Sequence, residues 1–247
     1  MKIIKQFKRK IRDSYTYWKV LSKTDISRYY QAYKLTEENR EDLVAAKMLH
    51  ASVYLSKSFI IQEDIHEGII HDLADPHQHH ADYFVVKKKN QVIAVARQII
   101  HKGVGEYHES FPVLEKSLIH ERSRKRITGQ HPQEIVEISA LVKKGGESSI
   151  VPLILYRELW RHSRKSKHRI WIMACDVRLY ERLKLLFGPT LTRIGQRTPY
   201  VGGDVIPVSL NIALASNYIH KLSTSRRRSI LDVQRRAAKF MMMDQVK

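Results

Sequence analysis

The chain has 247 residues, a formal net charge of +19 and a single cysteine, Cys175, which excludes an internal disulfide and fits a reducing compartment. No apolar run reaches the roughly 18–20 residues that span a bilayer. The basic start, MKIIKQFKRKIRDSYTYWKVLSK, lacks the apolar stretch of a secretory signal. The expectation is a cytoplasmic protein, soluble or peripheral at the inner membrane surface.

The charge is concentrated at the ends. Residues 1–23 hold eight Lys/Arg against one Asp, and residues 216–247 hold eight against two Asp. The two ends thus supply 13 of the 19 charges. A nucleic-acid-binding core would more often carry its own basic face, so nucleic acid is not the expected partner. The pattern predicts a basic arm over 1–29, one domain over 30–215 and a basic helical tail over 216–247.

In chain order, Ile4, Phe7, Ile11, Tyr15 and Trp18 recur every three or four residues among cations, the pattern of an amphipathic helix. Such a helix suits an anionic membrane or an acidic partner, and it equally suits packing on the domain with its lysines solvated. Glu37 to Leu55 reads as a helix. Tyr83–Val86 and Val92–Ile100 read as a hairpin around a polar turn at Lys88–Gln91. A helical piece is expected near Val113–Arg122, then a strand over Ile135–Val142, a loop over Lys143–Ser149 and a helix over Ile150–Arg161. RIWIMACD, TRIG and DVIPVSLNIAL read as strands, and VRLYERLKLLFG as a short helix. In the tail, Ile230, Val233, Ala237 and Phe240 have helical spacing. This order predicts a mixed α/β (α+β) layered domain with a partly antiparallel sheet.

The stretch VEISALVKKGGESSIVPLILYREL concentrates the chemistry. Alternation puts Val136, Ile138, Ala140 and Val142 on one face and Ile135, Glu137, Ser139 and Leu141 on the other. Glu137 is the only charge in a mostly apolar strand. Burial would raise its pKa and fit it to take a proton from an amine. The same burial would equally suit an ion pair with an arginine on a neighbouring strand. After the strand, Gly145 and Gly146 permit close backbone approach to a ligand. Ser148 or Ser149 can cap the helix, and Pro152 is tolerated in its first turn. Free amides at a helix N-terminus attract phosphate, and Lys143 and Lys144 add charge.

Two other clusters carry less. His71, His77, His79 and His80 lie near three aspartates but without regular ligand spacing, so a solvated loop is favoured over a metal site. The runs Ser225–Ser229 and Arg161–Lys167 could meet phosphates, yet few aromatics interleave them. The second also suits the cationic C-terminal end of a helix. Cys175 ends an apolar strand and reads as core.

Several stretches together resemble the GNAT superfamily of N-acyltransferases, and within it the acyl-homoserine-lactone autoinducer synthases and the N-acyl amino acid synthases. MLHASVYL resembles a first-helix pattern Leu-Arg-x-x-Val-Tyr, with His50 at the arginine. HDLADPHQHHADYFVV resembles an Asp-x-x-Asp pair, at Asp72 and Asp75. QVIAVARQI resembles the second hairpin strand with its arginine, Arg97. VEISALVKK resembles a Glu-x-Ser-Arg strand at Glu137 and Ser139, with Ala140 at the arginine. The likeness spans about residues 30–215.

This resemblance implies direct aminolysis. Glu137, through a water, would help deprotonate an acceptor amine that attacks a thioester carbonyl. Backbone amides around Ala140–Val142 would polarise that carbonyl, and Tyr180 would protonate the leaving thiolate. Asp72, Asp75, Arg97, Ser139, Ala140 and Leu141 would shape the substrate site. Lys143, Lys144, Gly145, Gly146, Ser148 and Ser149 would hold the pantetheine arm of an acyl carrier protein or coenzyme A, with no metal. The acidic carrier protein is the implied partner, and residues 1–23 and 216–247 would face an anionic membrane. The competing expectation is a non-catalytic GNAT-like protein whose arms bind membrane or nucleic acid.

Overall fold

The organising element of the fold is an apolar hairpin, β4 (Ala81–Lys88) and β5 (Gln91–Ile100), whose residues Phe84–Val86 and Ile93–Ala96 are all buried. In a computed structural model describing residues 29–101, 111–200, 203–224 and 232–242, this hairpin sits inside an eight-stranded sheet. The other strands are β1 (Gln31–Lys34), β6 (Ile135–Lys143), β7 (Ile170–Asp176), β8 (Leu191–Arg193), β9 (Thr198–Tyr200) and β10 (Gly203–Asn211). The order is β1-β4-β5-β6-β7-β10-β8, with β9 on β10. A two-stranded ribbon, β2 (Ile65–His66) and β3 (Ile69–Ile70), stands apart.

All pairings in the large sheet are antiparallel except β6–β7. That parallel step needs a crossover, which helix α4 (Val151–Lys165) supplies. The β6–β7 ladder holds only three residue pairs, Ile135–Ile170 to Glu137–Ile172, before the strands part.

Among the described residues six further helices cover the sheet: α1 (Arg40–Ser56), α2 (Pro112–Lys116), α3 (Glu121–Thr128), α5 (Val177–Phe187), α6 (Ile212–Thr224) and α7 (Asp232–Met242). One face packs on α4, α5, α6 and α7, where Trp160 meets Trp171 edge-on at 5.8 Å. The other face carries Tyr83, Val85, Val95 and Val142 against α1. Asp176 caps α5 by accepting the Leu179 amide at 2.8 Å. Gly188 ends α5 at φ +55, and a Cβ there would stand 2.3 Å from the Tyr218 ring of α6.

The mixed α/β architecture with a partly antiparallel sheet, expected from the sequence, is present. The basic run after α4 is the end of that helix, with His162, Arg164 and Lys165 in its last turn, where the dipole favours cations. The expected boundary at 215/216 falls inside α6. Ala237, Ala238, Phe240 and Met241 of α7 are buried in the main core, so the described part of the tail is docked on the domain. The helix near Val113–Arg122 is two helices, α2 and α3, separated at Ser117–His120. Strand β1 went unread because its QAYK pattern carries little apolar content. The amphipathic segment Ile4–Trp18 and the Ser225–Ser229 run lie outside the described residues.

Face alternation along β6 holds only as far as Ser139. Arg97 pairs with Ser139 and Val95 with Val142, so Ala140 and Leu141 together oppose Ala96. This is a β-bulge, and Ala140 takes φ +50 to make it. An extra residue reverses which face each later side chain meets. Val136 and Ile138 join the α4 side, as expected. Beyond the bulge Leu141 joins that side, and Val142 turns to the α1 side.

Candidate active site

A cavity of about 370 Å³ opens where β6 and β7 separate. Residues Ile138–Val142 of β6 line it from one strand, Ala174 and Asp176 of β7 from the other. His50 and Tyr54 of α1, Asp75–His77 and Pro112 close it, and the volume suits a small organic ligand.

A polar row across three strands reaches this cavity at Arg97 and Ser139. Tyr83 of β4 lies opposite Arg97 of β5, which lies opposite Ser139 of β6. Arg97 Nε donates to Ser139 Oγ at 2.7 Å, and its Nη1 donates to Asp75 in a buried ion pair. The arginine also hydrogen-bonds Tyr83. Burial alone would raise the Asp75 pKa, but the Arg97 charge and hydrogen bond outweigh it and hold the carboxyl below the usual range. Burial opposes the Arg97 charge too, and Asp75 more than restores it.

Glu137 lies two residues from Ser139 on the same strand and is 3 % exposed. Its Oε2 accepts the Val113 amide at 2.9 Å, so α2 fixes the carboxylate at the cavity wall. Arg97, on the neighbouring strand β5, is bonded to Asp75.

On the α1 side, His50 stacks edge-on against Tyr54 at 4.1 Å. His50 Nε2 is buried and finds no hydrogen-bond partner among the described residues. Burial, then the nearby Arg97 charge, lower its pKa to about 3, so the imidazole is neutral at physiological pH. Burial raises the Tyr54 pKa, and its hydroxyl is bonded to the Ala140 main chain at the bulge.

The structure thus brings Asp75, Arg97, Glu137, Ser139, Ala140 and Leu141 to one cavity. It places two expected residues elsewhere. Asp72 is on the surface with its side chain 64 % exposed, bonded to His79 at 2.8 Å and to Gln78. Tyr180 is half-buried against the main core, and Leu179, one residue earlier, lines the cavity in its place. Sequence reasoning passed over Tyr54 as a site residue and gave His50 no role of its own. Their four-residue spacing on one helix, MLHASVY, was the available signal.

The loop from Lys143 to Ser149 leaves β6 just beyond the cavity. Gly146 has φ +78, which favours glycine, whereas a Cβ on Gly145 would meet nothing within 4 Å. Lys143 donates to the Glu147 carbonyl at 2.9 Å, and Lys88 reaches the Glu147 carboxylate at 2.9 Å, so the loop is cinched on the hairpin. Neither serine is the N-cap. That position is Ile150, without a side-chain cap, and Pro152 lies in the first turn as expected. Ser148 Oγ accepts the Ile150 amide at 3.4 Å, and Ser149 Oγ is buried without a partner among the described residues. No acidic side chain occupies the first turn of α4, which leaves its amide end suited to an anion.

Among the described residues no cluster of three or more His, Cys, Asp or Glu is arranged to hold a metal, and no helix is long and apolar enough to cross a membrane. Cys175 is fully buried, and burial pushes its thiol pKa up.

No protein-family model matches the chain, and no curated protein matches it. Solved structures do. The N-acyl amino acid synthase FeeM from uncultured soil microbes superposes with a TM-score of 0.57 at 14 % identity, over 76 % of this chain and 93 % of FeeM. The CoA-dependent acyl-homoserine lactone synthase MesI gives 0.55 at 17 %, over 87 % and 96 %. The CoA-dependent acyl-homoserine lactone synthase BjaI, solved with SAM and isopentyl-CoA, gives 0.56 at 14 %, over 84 % and 98 %. The chain shares the fold of these synthases, as the resemblance to the autoinducer synthase group implied.

Proposed function

We propose that the protein is an N-acyltransferase that moves an acyl group from a carrier-protein or coenzyme A thioester to the amine of an amino acid or similar small acceptor. The observation that carries this reading is Glu137, a buried carboxylate held by a main-chain amide at the wall of a cavity in a split sheet. The fold shared with FeeM, MesI and BjaI supports it.

In the proposed reaction Glu137 takes a proton from the acceptor nitrogen through a water. The nitrogen attacks the thioester carbonyl, a C–N bond forms, the C–S bond breaks and the proton ends on sulfur. Backbone amides around Ala140–Val142, at the bulge, polarise the thioester carbonyl. Arg97, Asp75 and Ser139 hold the acceptor wall rigid. The pantetheine arm follows the Lys143–Ser149 loop toward the amide end of α4, where Lys144 and the Ser149 hydroxyl add to the attraction. Asp72 and Tyr180 have no direct role in this scheme, because neither lines the cavity.

An acidic carrier protein would meet a strongly basic surface, which speeds encounter. We place the enzyme in the cytoplasm, with residues 1–23 and the basic C-terminal end at an anionic membrane surface. Loss of liposome flotation on deleting residues 1–23 tests the latter.

The direct test is thiol release from acyl carrier protein and acyl-CoA thioesters with pooled amines, with mass spectrometry of the products. A new N-acyl amine establishes the reaction. Silence from folded protein across the panel overturns it.

A further inference from the structure

The amide that donates to Glu137 is not part of the sheet. Val113 lies in the first turn of α2, where amides have no acceptor within the helix, so its N–H can point outward to the carboxylate. Helices α2 and α3 form a small lobe with a core of its own. Phe111, Val113, Leu114 and Ile127 are fully buried there, against Ile172 of β7 and Ile194. Within the lobe, Arg124 Nη2 of α3 donates to the Leu114 carbonyl of α2 at 2.7 Å.

The lobe is fastened at the linker between its two helices. Ile119 pairs with Gly195, just past β8, in an isolated antiparallel bridge. The Gln196 amide donates to the Leu118 carbonyl at 2.8 Å, and the His120 amide to the Ile194 carbonyl at 2.9 Å. The Ile194 amide in turn donates to the Pro207 carbonyl of β10 at 3.0 Å, which ties the linker to the sheet.

What requires glycine at 195 is space. The residue is buried, and a Cβ there would stand 2.2 Å from the Leu118 carbonyl oxygen, 3.0 Å from Ile119 Cα and 2.8 Å from the Pro207 ring. The first two are main-chain atoms, which cannot swing aside as the end of a side chain does. Leu118 follows the end of α2 by two residues, so a packed lobe would pass the displacement on to α2 and the Val113 amide.

We propose that Gly195 is a positioning residue for Glu137. The absence of a side chain lets residues 117–120 lie close enough to the sheet for α2 to aim the Val113 amide at the carboxylate. Its importance for turnover rests on the acyltransferase reading; the mechanical link does not. Gly195 does not line the cavity, so it acts on the base and not on a substrate contact.

The test follows the Val113 amide and turnover together. In full-length protein with isotope-labelled valine, NMR reads the Val113 amide resonance and its hydrogen exchange without substrate. Gly195→Ala should shift that resonance and speed its exchange by at least about tenfold, while Val85 and Val86 of β4 stay protected. With acyl-CoA or acyl carrier protein thioesters and pooled amines, the same variant should lower kcat by about 10–10²-fold and leave KM within about twofold. In a Glu137→Gln background it should add no more than about twofold, because it acts through that carboxylate. A similar loss in both backgrounds, an unmoved Val113 resonance or an unchanged kcat overturns the inference. Should Gly195→Ala fail to fold, Arg124→Gln loosens α2 from its other side, and the same readings decide. If the wild-type protein releases thiol from no donor, the acyltransferase reading fails, and the Val113 signal alone decides whether Gly195 sets the carboxylate.

Discussion

Asp75→Asn removes one partner of the ion pair that braces the cavity. Asp75 is 8 % exposed and Arg97 7 %, so the substitution leaves a buried guanidinium without its counter-ion. Breaking a buried pair in this way costs about 3–5 kcal/mol. Arg97 keeps its bonds to Ser139 and Tyr83, and the new amide oxygen can still accept, which puts the expectation near the lower end, about 3 kcal/mol. For a chain of this size that corresponds to a fall in Tm of roughly 6–12 °C.

The pH dependence carries a definite sign. Asp75 has its folded pKa below its unfolded value, so its stabilisation is fully present above the unfolded carboxylate value of about 3.9 and is lost as pH falls through the folded value. The gap between wild type and variant should therefore stay constant from about pH 8 to 5 and close below about pH 4. Urea unfolding at a series of pH values measures it. A loss under about 1 kcal/mol at pH 7, or a gap that does not close in acid, would refute a charged buried pair.

Glu137→Gln should lower turnover by about 10²–10⁴-fold while leaving Tm within a few degrees, since a glutamine oxygen can still accept the Val113 amide. Unchanged turnover removes Glu137 as the base. Ala140→Val places a β-branched residue at φ +50 and should destabilise by about 1–3 kcal/mol, whereas Ala140→Gly should be tolerated; denaturant midpoints compare the two. Cys175 should resist a thiol reagent in the native protein and react fully in denaturant, because a buried thiol of raised pKa supplies little thiolate. Fast native labelling would show that its strand opens.

The elements most legible in the sequence were those with strong local signals. The β4–β5 hairpin, the β6 strand with Glu137 and the α4 helix all rest on periodicity and turn residues. Arg97, Asp75 and Ser139 could be named from short patterns, but not their joining in one row, which depends on register between three strands. The bulge at Ala140 carried no local mark, since alanine has no preference for φ +50, and it turned Val142 to the opposite face. Asp72 and Asp75 looked equivalent in sequence. Only the ribbon β2–β3 and the following turns decide that Asp75 points inward and Asp72 to solvent. The docking of α7 on the core was hidden because its apolar residues lie in a strongly basic tail.

The three-pair ladder between β6 and β7 also bears on how the molecule breathes. In an ordinary sheet the innermost strands hold their amide protons longest. Here the middle of the sheet is a weak seam: eight register pairs join β4 to β5 and six join β5 to β6, but only three join β6 to β7. Deuterium uptake should therefore begin at the centre, in Ile138–Val142 and Met173–Asp176, while β4, β5 and the β7–β10 pairs nearer Ile170 stay protected. A substrate-width opening would then be a local event, reached without loosening either half of the sheet.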